Sequence, residues 1–454
     1  MDLENNRPVG ALQSQVDDIA AEYISPNGPG MSLLLARNGE VLVKSAYGLA
    51  DVSGRVPITP GTRFVIASAT KQFTCAAMML LKMDQKLEYD ETIDRFFPGF
   101  PEWTHCITIR QLMNHTSGIP EYLTEAFWQE AKEKEVDLSD VLDRIGHFTD
   151  LEFEPGENHR YSNSGYVLLG EIVERVSGTT FASFLKHRVF EPLGMNDTLV
   201  GTEPGRYERQ AVGYLYRGPD DFEQAPYGMS VVGWADGNII STVEDLYRWD
   251  QALYSEALLP RSYLREAFTP VTVKGEVVSR YGFGWLINKR RGLDEIWHAG
   301  GTVGYSSRLM RFADQNATIV FLTNASGVDP HGDLVGALAE ALLRDCMDPV
   351  PERIALPARV LEGMSGDYVD ALVSKRDRGR VCLKRCGNSL LISQDSSFAG
   401  GLRLVPVDDD VFRVDNRADD YVRFLRRDCC GAVTGLRYLA NGAIYPMRKL
   451  QVER

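Results

Sequence analysis

Apolar residues recur with helical spacing at Leu12, Val16, Ile19, Ala20 and Tyr23, so residues 11–23 predict an amphipathic helix. A breaker, Ser25-Pro26-Asn27-Gly28-Pro29-Gly30, separates it from two apolar runs, Met31 to Ala36 and Val41 to Ala46. Between these stands Arg37-Asn38-Gly39-Glu40, and Asn-Gly flanked by apolar runs predicts a tight antiparallel hairpin. A third run, Phe64-Val65-Ile66-Ala67, breaks at Ser68 and resumes as a helix that begins at or just after that serine. From residue 72 to about 200 the spacing is mainly helical, with polar turns at Asn114-His115-Thr116-Ser117-Gly118 and at Glu154-Pro155-Gly156-Glu157. Strand character returns at Gly282 to Ile287, Glu295 to His298, Ser306 to Phe312 and Ala317 to Leu322, and a helix from Leu334 to Arg344 follows.

Helix, hairpin, helical insert, meander and helix together predict an α+β unit, an antiparallel sheet with flanking helices plus an all-α lobe and a cleft between them. Asp348-Pro349-Val350-Pro351-Glu352 opens a linker that runs to about 359. Beyond it, short strand-like runs recur at Arg380 to Leu383, Ser389 to Ile392, Leu402 to Val405, Val411 to Val414 and Tyr421 to Leu425. This rhythm predicts a small antiparallel, lipocalin-like β-barrel. The expected organisation is therefore residues 1–347, a linker over 348–359, and a barrel over 360–454.

Composition narrows the function classes. A chain of 454 residues with 44% hydrophobic and 25% charged positions has the profile of a soluble globular protein. A formal charge of -14 without a Lys/Arg run argues against a nucleic-acid or anionic-membrane partner. The longest apolar stretch, Cys75 to Leu81, is too short to span a bilayer, and Met1 to Pro8 lacks the pattern of a secretory signal, so a cytoplasmic address is expected. Seven cysteines without paired spacing fit reduced thiols. Cys382, Cys386, Cys429 and Cys430 lie in strand-like sequence that spaces them badly for zinc, and the seven histidines form no H-E-x-x-H pattern. Neither a metal nor another cofactor is expected.

The candidate chemistry starts at Ser68-Ala69-Thr70-Lys71, an S-x-x-K arrangement at a helix start. Residues three apart share a helix face, which puts the Lys71 ammonium beside the Ser68 hydroxyl, and a lysine whose pKa falls on burial can hold that proton. Alone, the motif far more often describes a capping serine and a solvated lysine. Tyr161-Ser162-Asn163 sits in a polar turn where a phenol and an amide can face a cleft, and a tyrosinate near a lysine ammonium can act as a general base. His298-Ala299-Gly300-Gly301 ends a strand, and its glycines permit close approach of a substrate backbone.

Taken together, S-x-x-K, Y-x-N and H-x-G in this order resemble the serine β-lactamase and penicillin-binding-protein superfamily. The surrounding Leu112 to Gly118, Phe153-Glu154-Pro155-Gly156, Pro192-Leu193-Gly194-Met195 and Tyr281 to Trp285 strengthen the likeness, which covers roughly residues 10–345. Lys71-Gln72-Phe73-Thr74-Cys75 and the H-x-G-G form resemble D-aminopeptidase of the class C-like branch, although there is room here for one of its barrels and not the second.

The resemblance implies that Ser68 is acylated, that Lys71 and Tyr161 transfer protons, and that Asn163 positions the substrate amide and Lys71. His298 would stand in for the lysine of K-T-G, with Gly300 beside the substrate and the N–H groups of Ser68 and Gly301 as the oxyanion hole. Asp236 matches an acidic position that attracts a substrate ammonium, while Asn114 and His115 hold the nearby loop. The implied function is a cofactor-independent serine hydrolase of small peptides or esters, favouring D-aminopeptidase, with weak β-lactamase activity at most. The rivals are a carboxylesterase, a D-Ala-D-Ala carboxypeptidase, and a non-catalytic sensor of D-peptides or peptidoglycan fragments. A homodimer is left open.

Overall fold

The computed structural model describes residues 9–134, 136–202, 205–218, 221–226, 234–273, 277–278, 280–329, 333–370, 380–393, 402–415, 417–426, 432–440 and 443–449. Two compact units emerge, one of residues 1–269, 282–287 and 294–345, the other of 270–281, 288–293 and 346–454.

Ahead of the C-terminal strands the chain forms α1 (Val9–Tyr23), β1 (Met31–Arg37), β2 (Glu40–Tyr47), α2 (Lys71–Met83), α3 (Asn163–Ser177), α4 (Val243–Ala252), β3 (Leu286–Arg290), β4 (Leu293–Thr302), β5 (Tyr305–Phe312), β6 (Ala317–Thr323) and α5 (Asp333–Leu343). The sheet order is β3-β4-β5-β6-β1-β2, and β6 pairs with β1 from Met31↔Thr323 to Arg37↔Ala317. The β1–β2 hairpin turns at Asn38 and Gly39, whose φ values of 57° and 79° are the paired left-handed conformations that Asn-Gly favours.

All seven residues of β6 and six of seven in β1 are buried, so these strands read as apolar runs rather than alternating ones. Leu34, Ala36, Leu309, Val320 and Leu322 join the large core with α2, α3 and α4, whereas the alternate Leu33, Leu35, Ile319 and Phe321 are buried on the opposite face. There α1 and α5 pack on each other and on the sheet. The insert after α2 is less helical than the spacing predicts. Residues 147–162 are turn and loop, and α3 starts at Asn163, behind the capping Ser162.

In the second unit, α6 (Ala358–Met364) precedes eight strands: β7 (Gly366–Asp370), β8 (Arg380–Cys386), β9 (Ser389–Ser393), β10 (Leu402–Pro406), β11 (Val411–Val414), β12 (Arg417–Arg426), β13 (Val433–Ala440) and β14 (Ala443–Lys449). They form a closed antiparallel barrel, with β14 pairing back onto β7. Its interior is filled by side chains that include Leu390, Leu404, Phe412, Phe424 and Leu436, together with Leu361 and Met364 of α6. Within 348–359, Ile354 N–H donates to the Pro406 carbonyl at 2.9 Å, and Leu356 belongs to the same core. Cys382 is buried and Cys386 half-buried on β8, while Cys429 and Cys430 lie outside the described residues. No described helix is long and apolar enough to cross a membrane.

Candidate active site

The segment that delivers Ser68 is held from two sides. The short strand Phe64–Val65 pairs with Ile239–Ser241, and Ile66 N–H donates to the Ile239 carbonyl at 2.9 Å. Ala67 then takes a left-handed conformation, φ 47°, which costs an L-residue about 1–2 kcal/mol. Ala67–Thr70 forms a 3₁₀ turn, and the α-helix begins at Lys71 rather than at Ser68. In a 3₁₀ turn residues i and i+3 eclipse, so the S-x-x-K spacing stacks Lys71 over Ser68 more directly than an α-helix would.

Lys71 is completely buried on α2. Its Nζ donates to Ser68 Oγ at 3.2 Å, Asn163 Oδ1 at 2.7 Å and the Asp236 backbone carbonyl at 2.8 Å, one acceptor for each ammonium proton. Burial brings its pKa down to about 8, against the opposing pull of Asp236 and Glu121. The Tyr161 phenol faces Ser68, which acts on it to lower its pKa, and its ring centroid lies 4.9 Å from Lys71 Nζ. Burial pushes that phenol well up, so it remains protonated at neutral pH, contrary to the tyrosinate base that the sequence suggested. Near neutrality Lys71 is the better proton acceptor of the two.

His298 lies buried on β4, its ring 6.2 Å from that of Tyr161. Nδ1 stands 2.5 Å from the Ala299 carbonyl, which can only accept, so Nδ1 carries the proton of the neutral ring. Burial, with Lys71 and Arg308 nearby, lowers its pKa to about 3. Arg308 pairs in register with Ala299, one residue on, and its guanidinium covers the Trp297 ring at 4.7 Å. Gly300 runs against the Ile66 carbonyl and Ser307 Oγ, where a Cβ would collide with both. At Gly301 a Cβ would meet open space.

Asp236 also reaches the site, with its carboxylate turned into the wall. Oδ2 accepts from the Tyr122 hydroxyl at 3.0 Å and Oδ1 from the Trp234 N–H at 2.8 Å. Only its backbone carbonyl touches Lys71. His115 is buried, accepts the Ser162 N–H on Nδ1 at 3.2 Å, and stacks 4.3 Å from the Tyr161 ring. Its carbonyl accepts the Arg160 N–H at 3.0 Å, and Asn114 Oδ1 accepts from Thr116 at 2.7 Å, both contacts that hold the loop.

Sequence reasoning missed Glu121, which lies against Asn163 and whose pKa burial raises. The available signal was an isolated acid directly after Gly118-Ile119-Pro120.

A half-buried serine beneath a desolvated lysine, set between an antiparallel sheet and a helical lobe, defines the serine β-lactamase and penicillin-binding class of fold. Residues 16–343 match the family model described as Beta-lactamase, and the chain belongs to that family. It is 34% identical over 337 residues to penicillin-binding protein 4* of Bacillus subtilis (strain 168), a match covering 71% of this chain and 74% of that one. With D-aminopeptidase of Gluconobacter oxydans (strain 621H) it shares 28% over 315 residues, 69% of this chain and 58% of the other. Its fold is similar to that of the octameric penicillin-binding protein homologue from Pyrococcus abyssi, with TM-score 0.65, 25% identity, and 97% and 100% of the two chains covered. The D-amino acid amidase from Ochrobactrum anthropi SV3 is similar at TM-score 0.62 and 29% identity, over 74% of this chain and 98% of that one.

Proposed function

We propose that this chain is a serine hydrolase that forms an acyl-enzyme on Ser68 and prefers small substrates with a free amino group beside the scissile amide, as a D-aminopeptidase or D-amino acid amidase does. Lys71, in its neutral form, takes the Ser68 proton as Oγ attacks the carbonyl carbon. The N–H groups of Ser68 and Gly301 receive the resulting oxyanion. Tyr161 gives its phenolic proton to the leaving amine as the C–N bond breaks and regains one from the Lys71 ammonium, and water then hydrolyses the ester to free acid and Ser68.

The observation that carries the amine preference is the charge around the nucleophile. Two carboxylates, Asp236 and Glu121, act on Lys71, whereas His298 is held neutral where K-T-G members carry a cation. Such a field favours a cationic substrate and gives a substrate carboxylate little to bind. The amidase and aminopeptidase named among the relatives support the same reading.

Fluorophosphonate labelling followed by mass spectrometry of the Ser68 peptide tests the nucleophile, with Ser68→Ala expected to lose both label and turnover. A panel of D-Ala p-nitroanilide, D-phenylalanine amide, acetyl-D-Ala-D-Ala and p-nitrophenyl butyrate tests the preference. Faster cleavage of the N-acetylated peptide than of the free amines would move the assignment to a carboxypeptidase.

A further inference from the structure

Glu121 Oε2 accepts the backbone N–H of Asn163 at 2.8 Å and its side-chain Nδ2 at 3.0 Å. The other oxygen, Oε1, accepts the Leu123 N–H at 2.9 Å, so the loop's own main chain fixes the carboxylate. Asn163 is the first residue of the fifteen-residue α3, whose positive end favours a carboxylate there.

A side-chain amide has one donor end and one acceptor end. With Nδ2 held by the carboxylate, it is Oδ1 that turns to Lys71 Nζ at 2.7 Å. Rotated the other way, the amide would set N–H donors against an ammonium and its oxygen against a carboxylate.

We propose that Glu121 is a positioning residue that sets the polarity of the Asn163 amide and thereby holds Lys71 on Ser68. This rests on the reading of Ser68 as the acylated nucleophile. Lys71 is faced by the Asp236 and Glu121 carboxylates, by Cys75 on its own helix, by His115 and His298, and by the Tyr161 and Tyr166 rings. Removing Glu121 therefore takes away one of two anions that keep the ammonium charged, as well as the amide's anchor.

The experiment follows the rate of Ser68 phosphonylation by a fluorophosphonate against pH, in the full-length protein and in Glu121→Leu and Glu121→Gln. No substrate need be known, and the probe has no amino group for Glu121 to contact. Glu121→Leu should label roughly tenfold or more slowly at its plateau, the loss expected for a charge-assisted hydrogen bond. Its acid limb should move to lower pH. Glu121→Gln keeps an oxygen for Asn163, so it should stay within about threefold of the parent rate while showing the same direction of limb shift.

Wild-type rates and an unshifted limb in both variants would overturn the inference and leave Ser68 in place. Slower labelling with an unshifted limb and a lowered Tm would mark Glu121 as a merely structural residue and overturn it equally. Absence of label on Ser68 in the parent protein would remove the underlying reading itself.

Discussion

Ser307 Oγ donates a 2.6 Å hydrogen bond to the carbonyl of Ile66, one residue before the left-handed Ala67 and two before Ser68. Both partners are buried, and the bond joins β5 to the turn that carries Ser68. Ser307→Ala removes it, which should cost about 1 kcal/mol of stability. Ser68 labelling should slow as well, because Ala67 loses a restraint on its strained conformation. Equal labelling rates with a lowered Tm would separate the fold from the chemistry and assign Ser307 to the fold alone.

The pH dependence follows from Lys71. Burial brings its pKa down from 10.5 to about 8, and the acylation proposed above needs the neutral amine. Activity should therefore climb through neutrality and level off above about pH 8, with an acid limb of unit slope. His298 and His115 are both held neutral by burial and should add no limb near pH 6.5. A profile that is flat from pH 6 to 9 would remove Lys71 as the base.

The sheet was legible because its signals are local or repeated. Asn38-Gly39 needs only its own backbone preferences, and β1 and β6 announce burial on both faces through unbroken apolar runs. The S-x-x-K and Y-x-N spacings singled out side chains that the fold does bring together, with Lys71 hydrogen-bonded to Ser68 and Asn163. By contrast, the 3₁₀ turn at Ser68 depends on Ile239 and Ser307, which grip Ile66 from distant strands. Glu121 meets Asn163 across 42 residues and Tyr122 meets Asp236 across 114, so neither the amide's polarity nor the turn of the Asp236 carboxylate leaves a local trace. In the barrel, β14 escaped notice because Pro446 argues against a strand, and β13 because Gly435 weakens one.

Stability should be concentrated where charge is buried. Arg311 Nε donates to Asp250 Oδ1 at 2.8 Å with both residues inaccessible, and Thr318 donates to Oδ2, tying α4 to β5 and β6. Asp250→Ala strands the guanidinium and should cost about 3–5 kcal/mol, read as a fall in the denaturation midpoint. Lys44 and Glu244 are paired on the surface, and Lys44→Ala should change stability by no more than about 0.5 kcal/mol. Similar losses in the two variants would contradict the burial argument.

The proposed role of His298 bears on anionic substrates. A neutral imidazole attracts a carboxylate weakly, so nitrocefin should be a poor substrate for the wild-type protein. His298→Lys adds a cation at that place and should raise kcat/KM for nitrocefin about tenfold, mostly through KM. The same cation faces Lys71 and should lower its pKa, moving the acid limb down in parallel. A gain in nitrocefin turnover without any change in the limb would mean that the new ammonium lies away from Lys71.

Asp236 distinguishes direct amine recognition from a field effect. If its carboxylate bound a substrate ammonium, Asp236→Asn would cut D-Ala p-nitroanilide turnover by roughly 30-fold or more and spare p-nitrophenyl butyrate. The geometry argues for another outcome, since both carboxylate oxygens are held by Tyr122 and Trp234 and only the backbone carbonyl reaches Lys71. The asparagine keeps one acceptor and removes a charge that supports the ammonium of Lys71. The acid limb should then shift to lower pH for both substrates, with plateau rates on the ester within about threefold of wild type. Free-amine substrates should lose a further factor of about three to ten, because part of the negative field has gone. A 30-fold loss confined to the amine, with no movement of either limb, would show that the carboxylate leaves Tyr122 and binds the substrate directly.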